Sequence, residues 1–263
     1  MTTLRILRQA FRTGLRDYSE IFTWKSWLAG WYLRILAQVI FFALIGRLLD
    51  SDAQTEFLLL GNATMVAAQE GIWALNLALW DRSAGTLQLL LASPSSPVVV
   101  FASRGSYMIL DGLASSLGAL FVVGPLFGLD FPWPEVLLVV PLTLLVGATT
   151  YFLGTFLAGL IIRWREGNVV IANIAIAATM ALCGVNVPLA FYPLPLEWLS
   201  KFLPLTHGLL AIRGVMDGAD ASLIASQAGL EVLVGFGWLA LCLATFERFV
   251  SRGRVDGSLE FAS

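Results

Sequence analysis

Long apolar runs separated by short polar stretches dominate the chain. Runs of about 20 residues cross ~30 Å of hydrocarbon at 1.5 Å per helical residue. Runs of that kind fall at 27–49, 57–80, 99–128, 135–162, 168–190 and 226–249. The third and fourth are long enough to tilt or to extend past the bilayer. Asp130, Pro132 and Pro134 mark a tight turn between them. Ahead of all six, residues 3–22 follow a helical period. Leu4, Leu7, Phe11, Leu15 and Tyr18 share one face, and Arg5, Arg8, Arg12 and Arg16 lie beside it. That pattern predicts a helix lying in the headgroup layer, its arginines at lipid phosphates and its apolar face in the acyl boundary. Trp24, Trp27 and Trp31, with Lys25, then read as an interfacial belt.

The stretch from Ala181 to Gly218 breaks this rhythm. It opens as an apolar helix and is interrupted by Pro188, Pro193, Pro195 and Pro204. Proline lacks a backbone donor and clashes with the preceding turn, so one continuous helix cannot cross the region. Trp198 to Phe202 and Leu209 to Val215 are nevertheless strongly apolar. Pieces this short do not span a bilayer. They predict two half-helices that dip into the membrane from one side and return, which requires surrounding protein or a water-filled cavity.

Composition agrees. Of 263 residues, 58% are hydrophobic and 13% charged, against roughly 25% charged in a soluble domain. The chain lacks the polar surface of a water-soluble body of this size. Arg5, Arg8, Arg12 and Arg16 interrupt the apolar core that a secretory signal needs. Cys183 and Cys242 both sit inside apolar runs, with no metal or redox spacing, and read as packing residues. One histidine excludes a multi-histidine metal centre.

The distribution of Lys and Arg orients the chain. Arg5, Arg8, Arg12, Arg16, Lys25, Arg82, Arg104, Arg163, Arg165, Arg248, Arg252 and Arg254 fall in one set of segments. The opposite set holds Arg47, Lys201 and Arg213 among many acids. Both termini are therefore expected in the cytoplasm, with the proline-broken stretch outside.

Charged groups at membrane depth cost about 2.5–3.5 kcal/mol each, so they need a reason. Arg34 is expected to snorkel or to pair with Gln38, and Asp111 shares a face with Arg104. Glu70 is expected near the middle of the second span, with Asn62, Gln69 and Asn76 nearby. Asn173, Thr179 and Asn186 add polar points in and after the fifth span. Two readings of this polar set stand: the lining of a transport path, or interhelical hydrogen bonds that fix packing. Glu231 is expected at the outer edge of the last span. His207 lacks the partners a catalytic or metal role needs, and is expected to cap or bridge the re-entrant turn.

The segment WDRSAGTLQLLLASPSSPVVV, Trp80 to Val100, leaves the membrane between the second and third spans. Residues 84–92 predict a short helix with Leu87, Leu90 and Leu91 on one side, ended by Pro94 and Pro97. Such a helix suits docking into a groove on another protein, or is a plain interfacial turn. Here the residues resemble a known family. Arg82, Gly85, Thr86, Leu87, Leu90 and Pro94 match the coupling loop of type-2 ABC exporter permeases, with Gln88 where an acid is common. The run Gly184, Pro188, Pro193, Pro195, Leu203-Pro204-Leu205-Thr206-His207 and Arg213 resembles that family's C-terminal signature.

The resemblance implies one domain over residues 1–263. It would be an all-α integral membrane protein of about six transmembrane helices. An N-terminal amphipathic interfacial helix would precede them, and outward-facing re-entrant half-helices at 188–215 would precede the last span. It implies a coupling helix at 84–92 that contacts an ATP-binding cassette subunit, and a second permease copy, identical or a close paralogue. It also implies that the second and fifth spans line the path. No Gly-x-x-x-x-Gly-Lys-Ser/Thr loop occurs, so ATP and magnesium are expected on the partner, with no cofactor and no enzyme activity in this chain. The expected role is export of an amphipathic drug, antibiotic or lipid-like molecule across a bacterial inner membrane, among membrane lipids and without nucleic acid. A polysaccharide or glycolipid exporter is the alternative, with Trp73, Phe152 and Phe156 as its aromatic candidates. An ion-coupled secondary transporter needs paired inverted repeats, and one broken segment does not supply them. A membrane enzyme needs a His/Asp/Glu or Ser/His cluster that the sequence does not bring together.

Overall fold

The computed structural model describes residues 3–77, 80, 85, 97–161 and 168–255. Helix α1 is Thr3–Ile21, close to its expected bounds. Helix α2 runs Trp24–Leu48, with a π-helical stretch at Trp27–Tyr32. Ser51 caps α3, Asp52–Trp73, by accepting from the Gln54 N–H, and a 3₁₀ turn at Ala74–Asn76 continues it. The third apolar run is two helices, α4 (Pro97–Gly105) and α5 (Tyr107–Leu126), joined at Ser106. A turn with a cis Trp133–Pro134 bond leads through a 3₁₀ turn, Glu135–Leu138, into α6, Val139–Ile161. Helix α7 is Asn168–Leu182. After it come a 3₁₀ turn at Leu189–Phe191, α8 (Leu194–Phe202), α9 (Thr206–Met216) and α10, Ala221–Val255.

The described residues form helices, turns and loops, without strands. Among the described residues, four helical segments qualify as membrane spans by length and composition: Trp24–Leu48, Ala102–Leu126, Glu135–Leu160 and Ala221–Thr245. The second and fifth of the six expected spans differ for separate reasons. Helix α3 is long enough, but Asn62, Gln69 and Glu70 lower its apolarity. Helix α7 has 15 residues and stops at Leu182 rather than continuing to 190. Gly184 there adopts φ +77°, a left-handed conformation that glycine takes without steric cost and that ends a helix.

Helix α3 is the axis of the bundle. Every residue from Leu58 to Ile72 is buried, against α2, α5, α6 and α7. Small residues make that depth possible. At the α3–α6 crossing a Cβ on Gly71 would collide with Thr150 Oγ1, and one on Gly154 would lie 2.5 Å from the Gly71 carbonyl oxygen. Backbones approaching this closely gain the dispersion contacts that drive helix association in lipid. Apolar packing covers both ends. Ile72, Leu75, Tyr107 and Tyr151 form one cluster that Phe11 and Tyr18 of α1 join. Ile35, Leu59, Leu120 and Ile212 belong to the other. Leucines and phenylalanines remain exposed along α2 and α10, including Phe41, Leu44, Leu233 and Phe236. Faces of this kind suit lipid tails.

Candidate functional site

Polar groups gather at two places in the bundle. The first gathering joins the interfacial helix to the spans. Asp17 of α1 pairs with Arg104 of α4. The ring of Tyr18 packs on Tyr107 at 4.8 Å, near the Asp111 carboxyl of α5. Burial, reinforced by Asp111, pushes the Tyr18 phenol well above its ordinary range, so it stays protonated. The π-helical stretch places Trp27 and Trp31 one turn apart on the inward side of α2; such stretches recur at functional sites. Trp27 Nε1 donates to Asp111 Oδ1 at 3.0 Å, and Trp31 Nε1 donates to Glu70 Oε1 at 2.9 Å. Arg34 stacks 4.6 Å from the Trp31 ring centroid.

Several expectations change here. Of the three tryptophans only Trp24, 71% exposed, fits an interfacial belt; Trp27 and Trp31 turn inward because buried acids need donors. Glu70 is buried on α3, which the 3₁₀ turn at Ala74–Asn76 continues. Asp111 accepts from Trp27, and Arg104 pairs with Asp17. Arg34 stacks on Trp31, and no bond to Gln38 is seen.

The second gathering surrounds the proline-broken segment. Glu231 of α10, expected at an outer edge, is fully buried. Its Oε1 accepts from the Leu205 N–H at 2.9 Å and from Thr149 Oγ1 at 2.5 Å. Its Oε2 accepts from the Gly208 N–H at 3.0 Å. Pro204 prevents a helix from running through, Leu205 takes a strained φ of +94°, and the first N–H groups of α9 would be orphaned. Glu231 satisfies two of them from a neighbouring helix. His207 Nδ1 lies 2.8 Å from Gln227 Oε1, bridging α9 to α10. Arg213 of α9 donates to the carbonyls of Gly184 (2.8 Å), Phe57 (3.1 Å) and Val185 (3.3 Å). Asn62 Nδ2 donates to Asn186 Oδ1 at 2.9 Å.

The candidate path residues are only partly brought together. Asn62 and Asn186 meet. Gln69, Glu70 and Asn76 are buried on α3 and its 3₁₀ extension. Thr179 is buried and bonds the Ala175 and Ile176 carbonyls of its own helix. Asn173 is exposed on α7. Pro193 and Pro195 start α8, while Pro188 and Pro204 fall in the breaks before the 3₁₀ turn and before α9. Of the expected coupling residues, Gly85 has φ +69°; Arg82, Thr86, Leu87, Leu90 and Pro94 lie outside the described residues. Sequence reasoning missed Asp17, Tyr18, Thr149 and Gln227. The spacing of Trp27, Trp31 and Arg34 by about one turn was the available signal for the first gathering.

An all-helical bundle of apolar helices around a polar-bearing axis, with an amphipathic helix bonded to its rim, defines a multi-pass membrane protein. The family model described as ABC-2 type transporter matches residues 18–216, well over half of the chain. The chain belongs to the ABC-2 type transporter family, whose permeases work with an ATP-binding cassette partner. Comparison with curated proteins gives no match.

Proposed function

We propose that the chain is the permease subunit of an ATP-driven exporter, with both termini in the cytoplasm of a bacterial cell. Helices α3 and α7 complete six passes, and α8 and α9 form the outward-facing re-entrant piece. Two copies pair with two ATP-binding subunits. ATP and magnesium belong to those subunits, and residues 84–92 dock on them.

The observation that carries this reading is the junction around Asp111 and Glu70. It hydrogen-bonds the start of α2 to α3 and α5, helices on either side of the proposed docking segment, and the Asp17–Arg104 pair beside it ties α1 to α4. A push on that segment reaches these helices together rather than a single helix. ATP shifts the population of the outward-open form by binding the closed motor more tightly. An amphipathic drug, antibiotic or lipid-like substrate fits the apolar helices and their few fixed charges. A polysaccharide path would need a run of open aromatic rings. Instead Phe156 is engaged with Trp238 at 5.4 Å and Phe152 with Tyr151 at 6.5 Å.

The test is purification of the tagged chain from its native membrane in mild detergent, with mass spectrometry of what accompanies it. An ATP-binding protein in near-equal amount, lost when Leu87 and Leu90 become Asp, supports the reading. Its absence, under conditions that keep other membrane complexes whole, removes it.

A further inference from the structure

We propose, resting on the exporter reading, that the junction of Gly61, Asn62, Asn186 and Arg213 is a latch. It holds the end of α7 shut against α3 and releases it as a unit when the path opens.

The fixed side of the latch is α9. Glu231 ties the start of α9 to α10 and, through Thr149, to α6. Arg213 therefore stands on an anchored post. The movable side is the end of α7. Val169, Val170 and Ile174 of that helix are more than half exposed, and its other end meets the bundle along one face, with Ala172 buried. Its last turn ends in the non-helical run from Cys183 to Val187, which offers free carbonyls. Arg213 takes two of these, at Gly184 and Val185, and a third at Phe57 of α3. Its guanidinium also lies 3.6 Å from the Phe57 ring centroid. Asn62 and Asn186 close the same seam.

The approach is specific to glycine. A Cβ on Gly61 would collide with the Val185 carbonyl oxygen and lie 3.1 Å from Arg213 Nη2. Hydrogen bonds also suit a reversible closure. Amide and guanidinium groups exchange these partners for water at small net cost, whereas a buried apolar contact cannot be so compensated. The junction is already incompletely paired: Asn62 Oδ1 and Arg213 Nε are buried without a hydrogen-bond partner among the described residues. Opening to water satisfies both and further narrows the gap between closed and open forms.

Cys183, immediately before Gly184, is a native reporter. It is 1% exposed, and its thiol faces the Pro204 carbonyl at 3.7 Å. Cys242 of α10, 2% exposed and away from the latch, reports general unfolding. The experiment uses the full chain in lipid nanodiscs and a hydrophilic maleimide, with the two cysteines resolved by peptide mass spectrometry. Gly61→Ala, Asn186→Ala and Arg213→Gln are each expected to raise the Cys183 labelling rate about tenfold, the scale of losing a charge-assisted bond or its geometry, with Cys242 unchanged. Arg213→Lys, a point charge that cannot hold three carbonyls at once, should fall between wild type and Gln. An unchanged Cys183 rate in these variants overturns the latch. So does a parallel rise at both cysteines in all of them, because the junction would then only support the fold. The measurement needs no ATPase: its failure leaves the exporter reading standing, and a missing ATP-binding partner leaves the labelling result standing.

Discussion

Glu231 offers the sharpest test of how the proline-broken segment is held. Replacing it with Ala removes the acceptor for the Leu205 N–H, the Gly208 N–H and the Thr149 hydroxyl at once. The site is fully buried, so water reaches these donors only after the structure loosens. The Thr149 hydroxyl keeps the Val146 carbonyl at 3.1 Å, while the two orphaned N–H groups cost about 1–3 kcal/mol each, roughly 2–6 kcal/mol together. The positive end of α9 also loses its favourable partner, about 0.3–1 kcal/mol more. A chain of this size loses roughly 2–4 °C per kcal/mol, so Glu231→Ala should lower the midpoint by on the order of 10–20 °C. Glu231→Gln keeps one acceptor oxygen and should fall near half that. Thr149→Val removes a single hydroxyl and should cost about 1 kcal/mol. The assay is thermal unfolding of the purified chain in one detergent, followed by tryptophan fluorescence and checked by size exclusion. The reasoning is refuted if Glu231→Ala melts within about 2 °C of wild type, because no buried triple acceptor could then be removed so cheaply.

Other outcomes follow from the same geometry. Gly71→Leu should destabilise the chain by several kcal/mol and prevent folding in the membrane, since the α3–α6 backbones leave no room; a monodisperse, native-melting Gly71→Leu protein contradicts the packing. Trp31→Phe should cost about 1–2 kcal/mol by leaving Glu70 without its indole donor. In the complex with the motor, that variant and Trp27→Phe should keep ATP hydrolysis but weaken its coupling to transport. A double-mutant cycle of Asp17→Asn and Arg104→Gln should give a coupling of about 0.5–1 kcal/mol, modest because Asp17 is partly solvated; a value near zero removes the pair from the α1 anchor.

Much of the fold is legible in the sequence because membrane physics reads out simply. Run length sets spans, arginine spacing sets the interfacial helix, and prolines mark where helices must stop. The broken stretch became a 3₁₀ turn and two short helices, with Pro193 and Pro195 at the start of one and Pro204 just before the other. What the sequence conceals is which polar residues meet. Glu231 and Leu205 are 26 positions apart, and Trp31 and Glu70 are 39 apart; such pairs exist only after helices pack. An isolated tryptophan near a membrane edge fits a lipid belt equally well until a buried acid behind it is located. The break of α7 at Leu182 was hidden for a different reason: residues 183–187 are apolar apart from Asn186, so hydropathy ran on while Gly184 turned the backbone. The coupling motif stayed a matter of sequence, since most of its residues lie outside those described.

The claim that an external ATPase powers this chain is tested most directly by transport into inside-out membrane vesicles. The permease and its co-purifying ATP-binding subunit would be produced together, and fluorescent amphiphiles offered outside the vesicles. The account predicts uptake that requires ATP, survives dissipation of proton and sodium gradients, and disappears with Leu87→Asp/Leu90→Asp. Uptake without ATP that collapses when those gradients are dissipated would contradict it, and would make an ion gradient the driving force.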